Sequence, residues 1–218
     1  MGKLAASIIS ADLAHLADQV ALIEEFAEIM HIDLMDAHFV PPLTIGPPVV
    51  KALRPVTDRV LHAHLMVDTP EGLFDDLAEA GADMVSFHLE AAHDPKPVIR
   101  KARGAGLGVG ITLNMETPVE DAFPYLDDID DVMMMSIRPG WSGQTLNPEV
   151  FPRVEAMRAE LDRRSLGAEL EVDGGIKLEN AQRALDAGAT VLIAASAIFW
   201  QPDPAASARA LAAVARGA

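Results

Sequence analysis

Three short stretches place chemistry-bearing side chains at every second position. His31-Ile32-Asp33-Leu34-Met35 carries a histidine, an acid and a methionine, and His62-Ala63-His64-Leu65-Met66 carries two histidines and a methionine in the same rhythm. Glu171-Val172-Asp173 adds two acids, and Met133 and Met135 repeat the spacing within an apolar run. Alternate residues of a β-strand share one face, so each set converges on one surface while Ile32, Leu34, Ala63, Leu65 and Val172 pack on the other. Two imidazoles with two carboxylates form a mixed nitrogen and oxygen donor set for a divalent metal. The same stretches fit core strands whose polar groups satisfy one another, and a methionine in a strand is common filler. The residues alone leave both readings open.

A second group of residues suits an anion. Gly140-Trp141-Ser142-Gly143, Asp173-Gly174-Gly175 and Ala194-Ala195-Ser196-Ala197 each follow an apolar run. Glycine lets backbone N–H groups come close to a ligand, and such amides hold phosphate without a charged side chain. That matters here, because 33 acids against 17 bases give a net charge of -16. So acidic a chain is unsuited to nucleic acid or to an anionic membrane surface, and an anionic substrate needs a local site of its own. Cysteine is absent, which excludes disulfides and thiolate chemistry and agrees with a cytoplasmic protein. Met1 to Leu4 run into a strand-like segment with no signal-peptide core, and no apolar run is long enough to span a bilayer.

The elements that must position these groups alternate. Strand-like runs are expected at 5–9, 29–35, 60–67, 84–90, 108–114, 132–137, 169–173 and 191–194. Helical patterns fall between them at 12–28, in a short piece ending at Arg54, from Thr69-Pro70-Glu71 to Gly81, and at 95–105, 118–126, 148–163, 178–187 and from Pro204 onward. Thr69 is placed to cap its helix. Alternation of this kind predicts a parallel sheet, and eight rounds in 218 residues predict a closed (β/α)8 TIM barrel, α/β in class, with residues 1–218 forming a single domain. A doubly wound sheet is the alternative, but its glycine-rich fingerprint is missing from the first turn, Ser10-Ala11-Asp12. Barrels carry their chemistry at the C-terminal ends of the strands, where His31, Asp33, His64 and Asp173 fall. His62 reads as a packed interior imidazole, His88 as a hydrogen-bonded loop histidine, and the acidic run 127–131 as a solvated turn.

Longer blocks carry a resemblance. Ser7-Ile8-Ile9-Ser10-Ala11-Asp12, His31 to Pro41, Leu43-Thr44-Ile45-Gly46-Pro47-Pro48, His64-Leu65-Met66, Pro139-Gly140-Trp141-Ser142-Gly143-Gln144 and Val172-Asp173-Gly174-Gly175 resemble the ribulose-phosphate 3-epimerase family, in its order and spacing. The resemblance implies a TIM barrel that interconverts D-ribulose 5-phosphate and D-xylulose 5-phosphate. It implies His31, Asp33, His64 and Asp173 as ligands of one divalent metal ion (zinc, iron, manganese or cobalt), with Asp33 and Asp173 also the catalytic acid and base. It implies substrate contacts from Ser7, Met35, Met66 and Met135, a phosphate held by Gly140, Gly175 and Ser196 with the backbone at Ala195, and a homo-oligomer; Gly143 and Gly174, in the same glycine-rich stretches, are further candidate substrate contacts. The chemistry agrees with that division: inverting a carbon beside a ketone removes a proton from one face and returns one to the other, which takes two flanking carboxylates.

Ala37, Pro42, Trp141-Ser142 and Ala195 depart from the family pattern, and Arg138 stands where a neutral or acidic residue is usual. A guanidinium at a strand end can pair with phosphate, which makes Arg138 a candidate substrate contact. These departures keep two alternatives in play: an epimerase of another sugar phosphate, such as allulose 6-phosphate or a tetrulose phosphate, and a barrel that binds a sugar phosphate without turning it over.

Overall fold

Every inward-facing position in this chain comes from strands with a two-residue rhythm. A computed structural model describes residues 2–217; Met1 and Ala218, the ends of the expected domain, lie outside the described residues. The strands are β1 (Lys3–Ser7), β2 (Ile29–Met35), β3 (Val60–Met66), β4 (Met84–His88), β5 (Gly108–Leu113), β6 (Asp131–Met135), β7 (Glu169–Asp173) and β8 (Val191–Ala194). All pair in parallel in sequence order, and β8 returns to β1, which closes the barrel. The helices are α1 (Leu16–Ile23), α2 (Pro47–Leu53), α3 (Phe74–Ala80), α4 (Pro95–Gly104), α5 (Val150–Arg164), α6 (Leu178–Asp186), α7 (Ser196–Phe199) and α8 (Pro204–Arg216). No helix among the described residues is long and apolar enough to cross a membrane.

Outward strand residues such as Met30, Ile32, Leu34, Leu61, Leu65, Phe87, Ile111 and Val172 are buried against the helices in the main core. Inside the barrel a smaller apolar cluster of Ala5, Ile29, Met133, Met135, Val191 and Ile193 occupies one side. The other side is polar. His31, His62, His64, Ser86, His88, Asp131 and Glu171 are all buried there with Asp33.

Local chemistry moves several boundaries. The first strand spans 3–7 rather than 5–9, because Ile8–Ser10 turn as a 3-10 segment. The first helix is broken: Asp12 accepts a hydrogen bond from the Ala14 N–H and caps a 3-10 turn at Leu13–His15 ahead of α1. Thr69 makes no side-chain capping bond; Pro70–Gly72 form a separate turn before α3. Residues Val119–Asp128 are 3-10 rather than α, with Pro124 inside, where a missing N–H and a bulky ring break the i to i−4 pattern. Gly81, at φ +92°, closes α3 as its position suggests.

Asp131 is the largest correction. The acidic run does not end in a solvated turn, because β6 starts one residue earlier than expected and the two-residue rhythm of Met135 and Met133 carries Asp131 into the barrel. Ser86 donates to both of its carboxylate oxygens, at 2.9 and 3.1 Å. Gly110, its register neighbour, leaves the space: a Cβ there would stand 2.0 Å from Asp131 Oδ2. Burial drives its pKa up to about 8, reinforced by Asp130 and Glu169 and opposed by Ser86 and Arg103. The folded pKa therefore exceeds the unfolded one. The proton bound in the fold stabilises it fully below about pH 4, and that contribution is lost as pH rises through about 8. Denaturant unfolding is expected to show a loss on the order of 2–4 kcal/mol between pH 6 and 9, and Asp131→Asn to remove much of the slope. An unchanged slope in the variant contradicts this reading.

Candidate active site

Register sets the heights of the functional groups. Ser7 pairs with His31, His31 with His62, Asp33 with His64, Met35 with Met66, and Met135 with Asp173. Asp33, His64, Met35, Met66, Met135 and Asp173 thus arrive together at the C-terminal end of the barrel, with His31 and Ser7 just below.

The four expected metal ligands meet. His31, Asp33, His64 and Asp173 each direct a donor atom into one group with every pair within 4.8 Å. His64 Nδ1 lies 3.2 Å from Asp33 Oδ1, 3.3 Å from His31 Nε2 and 3.8 Å from Asp173 Oδ2, while His31 Nε2 lies 3.4 Å from Asp33 Oδ1. Ligands 2.0–2.2 Å from one tetrahedral ion stand about 3.4 Å apart, so these spacings match a single cation shared by the four. The Ser7 hydroxyl donates to the other Asp33 oxygen, Oδ2, at 2.6 Å and orients the carboxylate.

His88 is the residue the sequence reading undervalued. It is fully buried at the end of β4 rather than in a loop, and its ring stacks on His64 with centroids 5.0 Å apart. Its Nε2 lies 3.0 Å from His64 Nε2, and its Nδ1 faces Glu90 Oε2 at 3.4 Å. Burial lowers its pKa to about 4 against the pull of Glu90, so the ring is neutral at physiological pH. A His64 Nε2–H donated to this neutral imidazole leaves the lone pair of His64 on Nδ1, toward the donor group. The signal was available in the alternation of Met84, Ser86 and His88.

The two aspartates are driven apart electrostatically. Burial opposes ionisation of Asp33, but the His31 and His64 imidazoles outweigh it and hold its carboxyl well below the usual range. Burial pushes Asp173 up to about 7, with Asp33 adding to the effect and His31 opposing it. One carboxylate held ionised beside one that retains a proton is the pattern of a base paired with an acid.

Both open on a cavity at the mouth of the barrel. Ser7, Met35, Met66 and Met135 line it near the aspartates, and Gly140, Gly143, Gly174, Gly175, Ala195 and Ser196 line it on the side of the loops after β6, β7 and β8. Gly175, at φ +64°, lets two loops touch: a Cβ there would stand 2.5 Å from Leu146 N. Ala195 has φ -115°, so the backbone there is not left-handed and alanine meets no positive-φ penalty in place of glycine. Ala37 does adopt φ +60°, a left-handed conformation that costs about 1–2 kcal/mol in a residue other than glycine.

Arg138 does not join the group. It is exposed and absent from the cavity wall, and its carbonyl accepts a hydrogen bond from Gln144 Nε2 at 2.8 Å, which with the Trp141 carbonyl ties the loop together. Among the described residues the wall carries no lysine or arginine. Trp141 stands at the rim, 60 % exposed. His62, as expected, is interior, one turn of the register beneath His64.

Comparison with known proteins follows the same lines. The family model described as Ribulose-phosphate 3 epimerase family matches residues 3–199. The chain is 43% identical over 208 residues to the Ribulose-phosphate 3-epimerase of Mycobacterium tuberculosis, covering 95% of this chain and 90% of that one. It is 40% identical over 205 residues to the protein of the same name from Bacillus subtilis, covering 93% and 94%. Among solved structures, a 3-hexulose-6-phosphate synthase superposes with a TM-score of 0.74 at 23% identity, covering 97% of this chain and 99% of that one, and shares the fold.

Proposed function

Because the chain belongs to the ribulose-phosphate 3-epimerase family, whose members epimerise a pentulose phosphate, we propose that it interconverts D-ribulose 5-phosphate and D-xylulose 5-phosphate by proton transfer through Asp33 and Asp173. The observation that carries this reading is the convergence of these two carboxyls, in opposite electrostatic environments, at the floor of one open cavity.

The hydrogen on the carbon beside the ketone is acidified by the carbonyl. One aspartate takes it from one face, and the other returns a proton to the opposite face, so the carbon inverts and the enzyme ends with one proton moved from acid to base. Ser7 fixes Asp33 for this step through the 2.6 Å bond to Oδ2. Met35, Met66 and Met135 provide an apolar wall beside the reacting carbons that excludes water from the enediolate. His31, Asp33, His64 and Asp173 would hold the divalent metal, to which the orientation of His64 Nδ1 adds support. When bound, that ion supplies Lewis-acid charge opposite the substrate oxygens that become negative.

The phosphate binds at the glycine side, through backbone amides of Gly175, Ala195 and Ser196, because the wall presents no basic side chain. Arg138 lies outside the cavity wall, so in this reading the choice of sugar rests with the cavity itself. Initial rates across four-, five- and six-carbon ketose phosphates test the substrate: kcat/KM is expected to be highest for D-ribulose 5-phosphate. A larger value for a tetrulose or hexulose phosphate overturns the assignment, and no turnover of any of them favours a binding protein.

A further inference from the structure

Directly beneath the proposed metal group lie three buried atoms without a partner: His31 Nδ1, His62 Nδ1 and Glu171 Oε2. Their residues sit on β2, β3 and β7, are 0–1 % exposed, and each offers a donor atom within 4.8 Å of the other two. We propose that His31, His62 and Glu171 form a second, buried divalent-cation site, with His31 shared between it and the group above.

The polarity of the surrounding bonds favours a cation. The Ser86 hydroxyl donates to Asp131, so its oxygen is free to accept the Nε2–H of His62 at 2.7 Å. That bond leaves the His62 lone pair on Nδ1, facing Glu171 Oε2 at 3.7 Å. The two unpartnered atoms face each other across a distance too long for a hydrogen bond and close to the separation of two ligands on one ion. His31 completes the set: its Nε2 is directed at His64 and Asp33, which leaves Nδ1 for the lower site. Occupation of both sites makes the ring a bridging imidazolate, and its remaining N–H proton passes to solvent.

Charge points the same way. Glu171 neighbours Asp131, Asp173 and Glu169, while the nearest lysine, Lys3, is engaged by Glu169 at 2.6 Å. Among the described residues no lysine or arginine is buried inside the barrel, so a cation there would meet no competing positive side chain. Two nitrogens and one oxygen suit zinc, cobalt or iron better than calcium or magnesium.

Protein equilibrated with zinc and then desalted is expected to retain about two equivalents per chain by elemental analysis, with two anomalous peaks at the zinc edge in a crystal. Glu171→Gln and His62→Asn each reduce this to about one, whereas His64→Ala removes the upper ion and keeps the lower, so failure here is separable from failure of the proposed active-site metal. A single zinc per chain, or a second equivalent that survives both Glu171→Gln and His62→Asn, overturns the proposal, as does a water at the lower position in the wild-type map. If a variant does not fold, the wild-type anomalous map alone decides.

Discussion

Asp173→Asn is expected to lower kcat by about 10³-fold or more while the protein remains folded. The amide keeps the size and shape of the side chain but cannot exchange a proton with the substrate carbon, and it offers a weaker donor to a cation. The fold should tolerate the change, because burial already favours the neutral form of this group at pH values below about 7. Replacing a carboxyl that burial already keeps neutral costs the fold little, so with both proteins free of metal the thermal midpoint is expected to stay level or rise slightly. The pair of measurements that checks this is a steady-state assay and a melting curve on the same preparation. Turnover near that of the wild type removes Asp173 from the chemistry, and a collapsed melting curve makes the residue structural.

Metal removal is expected to have an effect of comparable size. Stripping the protein with a strong chelator and verifying the product by elemental analysis should reduce activity by about 10²-fold or more, with recovery on adding zinc, cobalt, manganese or iron. The ions that restore best report the preference of a group built from two nitrogens and two oxygens. Stability moves in the same direction: a ligand bound only by the fold stabilises it by mass action, so the stripped protein melts earlier. The effect should be steepest at alkaline pH, where Asp173, with its pKa pushed up to about 7, ionises beside Asp33 and the two charges repel. Full activity in protein shown to be free of metal contradicts this account.

The barrel and the upper donor group were legible because both are written in short-range patterns. Alternation of strand and helix gave the topology, and the two-residue rhythm in His31-Ile32-Asp33 and His62-Ala63-His64 put the ligands on one face. What the rhythm could not give was how far inward it extended. Asp131 looked like the end of a solvated acidic run, and only closure of the barrel against Gly110 shows that a carboxylate fits there. His88 falls near the end of the strand expected at 84–90, and its stacking on His64 depends on the β3 to β4 pairing, which is tertiary. Helix lengths failed for a local reason, since 3-10 turns at Leu13–His15 and Val119–Asp128 satisfy the same apolar spacing over short runs. Arg138, next to Pro139-Gly140, is close to the site in sequence, but its side chain is exposed and not part of the cavity wall.

The ring of carboxylates inside this barrel also explains why so acidic a chain can work on an anion. Asp33, Asp131, Glu171 and Asp173 cluster on the polar side of the interior, whereas the glycine loops form a separate, uncharged wall. With the phosphate at the glycine loops, as proposed, a bound cation would lie beside Asp33 and Asp173.

Epimerisation in deuterium oxide tests the central claim most directly. If Asp33 and Asp173 carry the proton across the substrate, each conversion of D-ribulose 5-phosphate returns a solvent-derived proton, and the product recovered at early times carries deuterium at C3. Asp173→Asn should abolish that label together with the turnover. Product formed at the wild-type rate with no deuterium at C3 contradicts the two-carboxylate mechanism.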